Sequence, residues 1–339
     1  MPLKNYSMLK GRPINNRLGS GANPHYQVLV SDGEDQYRIA VNVESSDGSE
    51  VEFLVRTRFD HPITQQLLEY DDGLHRLPSA PGGAALDFIR ANLAQPWEFK
   101  PLPLSAPGPD NDLNEKVDAF VQRAMADEGA MIYAFGESWG PETKADKIFG
   151  FRPGRGIHDI HFNQGNPPGR FAESNGPWQD GGLIFHFPRS SQWSAVFLKF
   201  QTQSWHSDDR SGEPIVPPQT PDRDRIPPFD APDGLVRIVA ALVNDVNSPE
   251  REMVTLLNTS DVPVDLSGWT LRDKNKNAMP LSNAIAPGAT LVVNVAAPVS
   301  LSNRGGLVTL VDGNGVKVHG VSYTREQARQ PGRTIPFQQ

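Results

Sequence analysis

The sequence has no cysteine. Disulfides, thiolate metal sites and cysteine nucleophiles are thereby excluded, and any metal must be held by His, Asp, Glu, Asn or Gln. No stretch reaches the roughly 18 apolar residues of a membrane helix, so no membrane span is expected. The first ten residues are polar, without an apolar segment of signal-peptide length. The expected location is the cytoplasm, with export by a route that needs no classical signal peptide left open. Positive charge is also short: 32 Lys and Arg face 40 Asp and Glu, a net charge of -8. That balance disfavours a protein that coats nucleic acid and confines any such contact to a local patch. No G-x-S-x-G elbow, Walker loop, dinucleotide fingerprint or H-E-x-x-H occurs, which argues against α/β-hydrolase, nucleotide-fuelled, nicotinamide-dependent and zincin chemistry.

Proline (31) and glycine (30) are abundant, and only 37% of residues are apolar. This is the balance of turn-rich β structure, not of long helices. Along the chain, β-branched and aromatic runs at 25–30, 37–43 and 51–56 are separated by S-D-G-E-D and S-S-D-G-S, and read as a meander of antiparallel strands. The residues before them, 5–21, read as a solvated loop in which Lys10, Arg12 and Arg17 are placed to meet an anion. One short helix is expected at 64–69. A second holds Leu86, Ile89, Arg90 and Leu93 at helical spacing. A third starts at Asp110 or Asn111 and carries the stripe Leu113, Val117, Phe120, Val121 and Ala124. Ala130–Phe135 is a short apolar strand ending at Glu137.

The densest polar stretch is G-R-G-I-H-D-I-H-F-N-Q-G, Gly154 to Gly165. If it is extended, alternation puts Ile157, Asp159, His161 and Asn163 on one face and His158 and Gln164 on the other. A bulge permitted by the glycines unites both histidines instead. Gln179, Asp180, His186, His206, Asp208 and Asp209 follow, so four of the eight histidines lie between 158 and 206. Two chemistries suit this inventory. One is a divalent metal activating water, with His158, His161, Asp180 and His206 as ligands. The other is metal-free acid–base work by an imidazole that an aspartate orients, Asp159–His161 or Asp180–His186. Catalytic roles fall to His158, Asp159, His161 and Glu137. Substrate contacts fall to Arg152, Arg155, Asn163, Gln164 and Trp178, with Arg170 and the tryptophans 139, 193 and 205 in the same region.

Residues 208–234 are dominated by proline and charge and read as a semi-rigid linker. From Leu235, short strands at 235–243, 251–257, 268–272, 290–295, 307–311 and 316–323 alternate with turns, the pattern of a β-sandwich. Asp312-Gly313-Asn314-Gly315 is its hairpin turn. The segment E-M-V-T-L-L-N-T-S-D-V-P-V-D-L-S-G-W-T-L-R-D (Glu252 to Asp273) resembles the signature of the lamin-tail domain. A-P-G-A-T-L-V-V, L-S-N-R-G-G-L-V-T-L-V-D-G-N-G and V-S-Y extend the likeness over about 235–325. The resemblance implies an immunoglobulin-like sandwich with Trp269 as a buried anchor, Asn258 and Asp265 in turns, and a role in interaction or targeting through a protein partner. His319 is expected to be structural.

The first 210 residues resemble the YukJ-like family of bacterial proteins. The likeness lies in Y-x-M-L-K-G-R-P, R-I-A-V-N-V, I-Y-A-F-G-E, G-I-H-D-I-H-F-N-Q-G-N and N-G-P-W-Q-D-G-G. That likeness brings no established activity with it. The expected fold is therefore mainly β with some α: an N-terminal α+β domain on an antiparallel sheet (1–207), the linker (208–234), the β-sandwich (235–325) and a C-terminal tail (326–339). The expected function is hydrolysis of a phosphodiester, with nucleic acid as substrate, at the His/Asp-rich site. The lamin-tail resemblance implies a module commonly appended to hydrolases, nucleases or surface proteins, which supports this by analogy only. A non-enzymatic binding or envelope and secretion accessory protein is the alternative, and a peptide or glycan hydrolase the third.

Overall fold

Extended chain forms wherever β-branched and aromatic residues alternate between turn clusters. In the computed structural model, which describes residues 6–18, 25–45, 51–77, 92–103, 111–159, 181–200 and 234–337, these runs assemble into a mainly β protein with two helices. Two units divide the chain. The first is Met1–Ser79, Gly83–Leu86 and Trp97–Gln203; the second is Ala80–Gly82, Asp87–Pro96 and Ser204–Gln339.

The first unit contains β1 (Tyr6–Leu18), β2 (His25–Ser31), β3 (Gln36–Asn42), β4 (Val51–Arg56), α1 (Ile63–Leu68), β5 (Gly73–Arg76), β6 (Lys100–Pro101), α2 (Asp112–Ala126), β7 (Met131–Glu142), β8 (Gly154–His158), β9 (Gly181–Phe187) and β10 (Gln192–Phe200). They form one sheet in the order β5-β1-β2-β3-β8-β7-β9-β10-β4-β6. Because β1 also pairs with β7, the path β1-β2-β3-β8-β7 returns to its start and closes a ring. All pairings are antiparallel except β3 with β8. Period-2 alternation sends Leu9, Val28, Val30, Ile39, Val41, Ala134 and Ile157 into a single core. The stripe of α2 (Leu113, Val117, Phe120, Val121, Ala124) fills that core from one side. Asn111 is the N-cap of α2, its side chain accepting from the Asn114 N–H at 2.8 Å.

Three features differ from the sequence expectation. The opening residues are not a solvated loop. They form the 13-residue strand β1, with Tyr6, Met8 and Leu9 buried. Lys10 donates to the Tyr70 carbonyl at 2.6 Å and pairs with Asp72 at 3.1 Å, so its charge is already met inside the unit. The meander also ends at β3: the far edge of β3 takes the parallel strand β8, and β4 pairs with β10 and β6. Of the helix expected around 86–93, all but Asn92 and Leu93 lies outside the described residues. Asn92 has a φ of 54°, which no right-handed helix can contain.

The second unit contains β11 (Val236–Leu242), β12 (Met253–Asn258), β13 (Val264–Asp265), β14 (Thr270–Arg272), β15 (Ala278–Pro280), β16 (Ala284–Ile285), β17 (Thr290–Asn294), β18 (Gly305–Val311), β19 (Lys317–Thr324) and β20 (Thr334–Pro336). Sheets β17-β12-β11-β20 and β15-β14-β18-β19 enclose a core that includes Ile238, Val254, Leu256, Leu271, Val308, Leu310 and Tyr323, with β13-β16 as a small accessory ladder. This is the immunoglobulin-like sandwich. The residues past 325 supply β20, which pairs with β11. Asn258 is fully buried and closes its turn by donating to the Val262 and Ile285 carbonyls at 2.7 and 2.9 Å. Asp265 accepts from the Ser267 N–H at 2.9 Å, an Asx turn. Trp269 is half-buried against the core edge, not fully enclosed. In the hairpin, the Asp312 side chain accepts from Asn314 and Val316 N–H, and Gly315 supplies a φ of 83°. No helix among the described residues is long and apolar enough to cross a membrane.

Candidate active site

The site is built where β8 is held between β3 and β7. Two glycines permit the approach. A Cβ on Gly156 would lie 1.8 Å from the Arg38 carbonyl oxygen and 2.6 Å from the Trp139 ring; one on Gly136 would lie 1.9 Å from the His158 carbonyl oxygen. With no side chains there, the β7 and β8 backbones pair in a register that places Glu137 opposite His158 and Trp139 opposite Gly156. Directly opposed residues share a face.

Alternation then sorts the G-R-G-I-H-D segment. Ile157 and Asp159 are fully buried, while the His158 side chain points to the other side and keeps 28% exposure. On that outer side His158 meets His25, from the start of β2, with the two Nε2 atoms 3.0 Å apart and the rings edge-to-face at 4.8 Å. At this distance one nitrogen carries a proton and the other receives it. Behind the pair, Asp159 Oδ1 lies 3.6 Å from His158 Nδ1 and accepts the Asn42 N–H at 2.9 Å. That contact is longer than a hydrogen bond, so the buried carboxylate acts on His158 through its charge and stabilises an imidazolium if one forms. A carboxylate, two imidazoles and Glu137 at the facing register position make up the assembly.

A buried ion pair supports the same face. Arg38 Nε donates to Asp146 Oδ2 at 2.7 Å, its Nη1 donates to Gln27 Oε1 at 2.8 Å, and its guanidinium sits 4.6 Å from the Trp139 ring centroid. Burial works to raise the Asp146 pKa, but the Arg38 bond and the N–H groups of Phe149 and Ile148 outweigh it and hold that carboxyl below its usual range. Gln27 in turn donates to the His25 carbonyl at 3.3 Å, linking this network to the imidazole pair.

The structure places the expected site residues unevenly. His158, Asp159 and Glu137 come together as described. Arg155 does not join them. It falls on the opposite side of β8, pairs with Asp35 and lies 4.7 Å from the Tyr37 ring centroid. Arg152 is exposed in the bend before β8. His186 sits on β9 opposite Met131, six positions along β7 from Glu137, roughly 20 Å at strand rise. There it stacks on Trp193 at 4.2 Å, and burial, then the Lys10 charge, lower its pKa. His161, Asn163, Gln164, Arg170, Trp178, Asp180, Trp205 and His206 lie outside the described residues. Among the described residues no group of three or more His, Asp or Glu is arranged to hold a metal ion. His25 is the member that sequence reasoning missed. Its only sequence signal is its place at the first residue of a strand, at the rim of the sheet.

A family model described as "Uncharacterized conserved protein (DUF2278)" matches residues 1–212. A second, described as "Lamin Tail Domain", matches residues 231–325. The chain is similar to "Uncharacterized protein YukJ" of Bacillus subtilis (strain 168), 42% identical over 219 residues, which are 63% of this chain and 96% of that protein.

Proposed function

Starting from a chain that belongs, through residues 1–212, to the DUF2278 family, we propose that its N-terminal unit hydrolyses phosphodiester bonds, with nucleic acid as substrate. In this reading the lamin-tail domain serves interaction or targeting. The observation that carries the proposal is the His25–His158 pair, Nε2 to Nε2 at 3.0 Å, with the buried Asp159 behind His158.

One proton shared by two facing imidazoles supplies a base and an acid together. The neutral ring takes a proton from attacking water, and the protonated ring gives one to the departing alkoxide, so the site's charge is restored after the two product fragments leave. Asp159 stabilises His158 when that ring is the protonated one. Glu137, opposite His158 in the β7–β8 register, is the second carboxylate of the assembly. In a metal-assisted form of the same reading, His25 and His158 would be the imidazole ligands of a divalent ion, which would supply a bound water of lowered pKa.

The test is turnover of bis(p-nitrophenyl) phosphate and of single-stranded DNA and RNA by the full chain, with and without chelator. His158→Ala and His25→Ala should each lose on the order of 10²–10⁴-fold in rate with folding retained. Chelator resistance selects the metal-free form. Absence of hydrolysis in the wild type, or full activity in both variants, rejects the proposal.

One observation favours a non-enzymatic binding protein instead. Arg38, opposite Gly156 and on the same face of the sheet as the imidazole pair, is already bonded to Asp146. A site for phosphate ordinarily keeps such cations for its ligand. Binding of a ligand without turnover, reported by chemical-shift changes at His25 and His158, is the outcome that selects this second reading.

A further inference from the structure

A buried polar contact in the second unit has no role in the imidazole site. Asn92, 5% exposed, lies against the outer face of the β18–β19 ladder. Its amide nitrogen donates to the Val308 and Val321 carbonyls at 3.1 and 3.0 Å and lies 3.2 Å from Thr309 Oγ1. Its Oδ1 accepts from the buried Lys317 ammonium at 2.7 Å. The orientation of the amide follows from chemistry: an ammonium only donates and a carbonyl only accepts, so oxygen must face Lys317 and nitrogen the two carbonyls.

The face is shaped for this side chain. Gly320, paired with Thr309, has no Cβ, and one built there would lie 2.0 Å from Asn92 Oδ1. The glycine is thus the floor of a socket that the carboxamide fills. Next to it Leu93 and Ala94 are buried, and Gln95 donates to the Gly320 carbonyl at 2.5 Å. Asn92 also adopts a φ of 54°, a conformation that asparagine tolerates better than most residues. Side-chain length, donor and acceptor placement and backbone preference all select asparagine here.

We propose that the outer face of β18–β19 is a peptide-recognition site that reads an asparagine side chain, and that its occupant is this chain's own segment 92–95. That segment is encoded inside the stretch that matches the N-terminal family, yet it is built into the second unit, where its contacts lie. Unit two is accordingly completed by residues that a boundary at 235 would leave out. The specificity is that of a buried amide: a ligand lacking it leaves the Lys317 ammonium and two carbonyls without these bonds.

Hydrogen-exchange mass spectrometry on the full chain tests this. Asn92→Gly keeps the left-handed backbone accessible and removes the side chain with its amide. Exchange across residues 305–324 should accelerate roughly tenfold or more, while β2 and β3 keep wild-type protection. Adding a synthetic peptide of residues 87–96 should restore slow exchange, and the same peptide with Asn replaced by Gly should not. Unchanged protection in Asn92→Gly, or a loss that the asparagine peptide fails to reverse, overturns the proposal. If Asn92→Gly does not fold, Gln95→Ala, which removes one bond at the segment's end, takes the same measurement. A smaller acceleration reversed by the peptide supports the site, and no acceleration or no reversal overturns it.

Discussion

His319 should make the C-terminal sandwich acid-sensitive, by an amount that can be worked out. Its side chain is 2% exposed on β19, and Nδ1 accepts the Ile238 N–H at 3.1 Å. The ring is therefore neutral, with its proton on Nε2. Burial, then the Lys317 and Arg237 charges, push its pKa from 6.5 down to about 3. Between those two values the unfolded chain binds a proton that the folded chain refuses. The stabilisation is complete above about 6.5 and is lost as the pH falls toward the folded value, by about 1.4 kcal/mol per pH unit. From pH 6.5, where the unfolded histidine is half protonated, to 4.5 the loss is roughly 2.3 kcal/mol, a large part of the ~5–15 kcal/mol that holds a domain folded. Glu252, in the same unit, has a pKa raised by burial and works in the opposite direction, so the wild-type slope alone does not isolate the histidine. His319→Asn does. The asparagine oxygen takes the place of Nδ1 as acceptor and does not titrate, at the cost of the packing lost with the ring. Urea midpoints of second-unit NMR resonances at pH 7.0, 5.5 and 4.5 should show the wild-type slope steeper than the variant's by about 1.4 kcal/mol per unit. A folded-state His319 titration near 6.5, or parallel slopes, would refute the reasoning.

Two further outcomes bear on the first unit. Gly156→Ala should be severely destabilising, by roughly 3 kcal/mol or more, because its methyl meets the Arg38 carbonyl at 1.8 Å. Gly33→Ala, with a φ of 101° but nothing within 4 Å, should cost only about 1 kcal/mol of backbone strain, and paired thermal melts compare the two. Arg38→Met should cost about 3–5 kcal/mol by leaving Asp146 charged and buried at 2% exposure. Adding Asp146→Asn should then lose less than the sum of the single changes in a denaturation cycle; strict additivity would mean that the pair is not coupled.

What was legible in the sequence follows from the range of the forces involved. The α2 stripe, the Asn111 cap and strands β2, β3, β12 and β18 are written in spacings of two to four residues, and each appears where those spacings place it. The sequence pattern hides β1, the longest strand among the described residues, because Gly11 and Pro13 interrupt it; the pairing register with β2 shifts between Pro13 and Asn15, where proline has no N–H to give the ladder. The candidate site was half-readable for the same reason. Alternation alone separates His158 from Asp159, but the partner of His158 lies 133 residues earlier, delivered by a parallel pairing of β3 with β8 that no local pattern announces. The most reliable trace of such long-range contacts is a glycine that the local structure does not need. Gly136, Gly156 and Gly320 all sit inside strands, where glycine is a poor choice. Each is there because something distant in sequence occupies the space of a side chain: the β8 backbone, the Arg38 carbonyl with the Trp139 ring, and the Asn92 amide. Strand glycines thus point to both assemblies in this chain, the imidazole pair and the asparagine socket, where the polar residues themselves point only to their own neighbourhood.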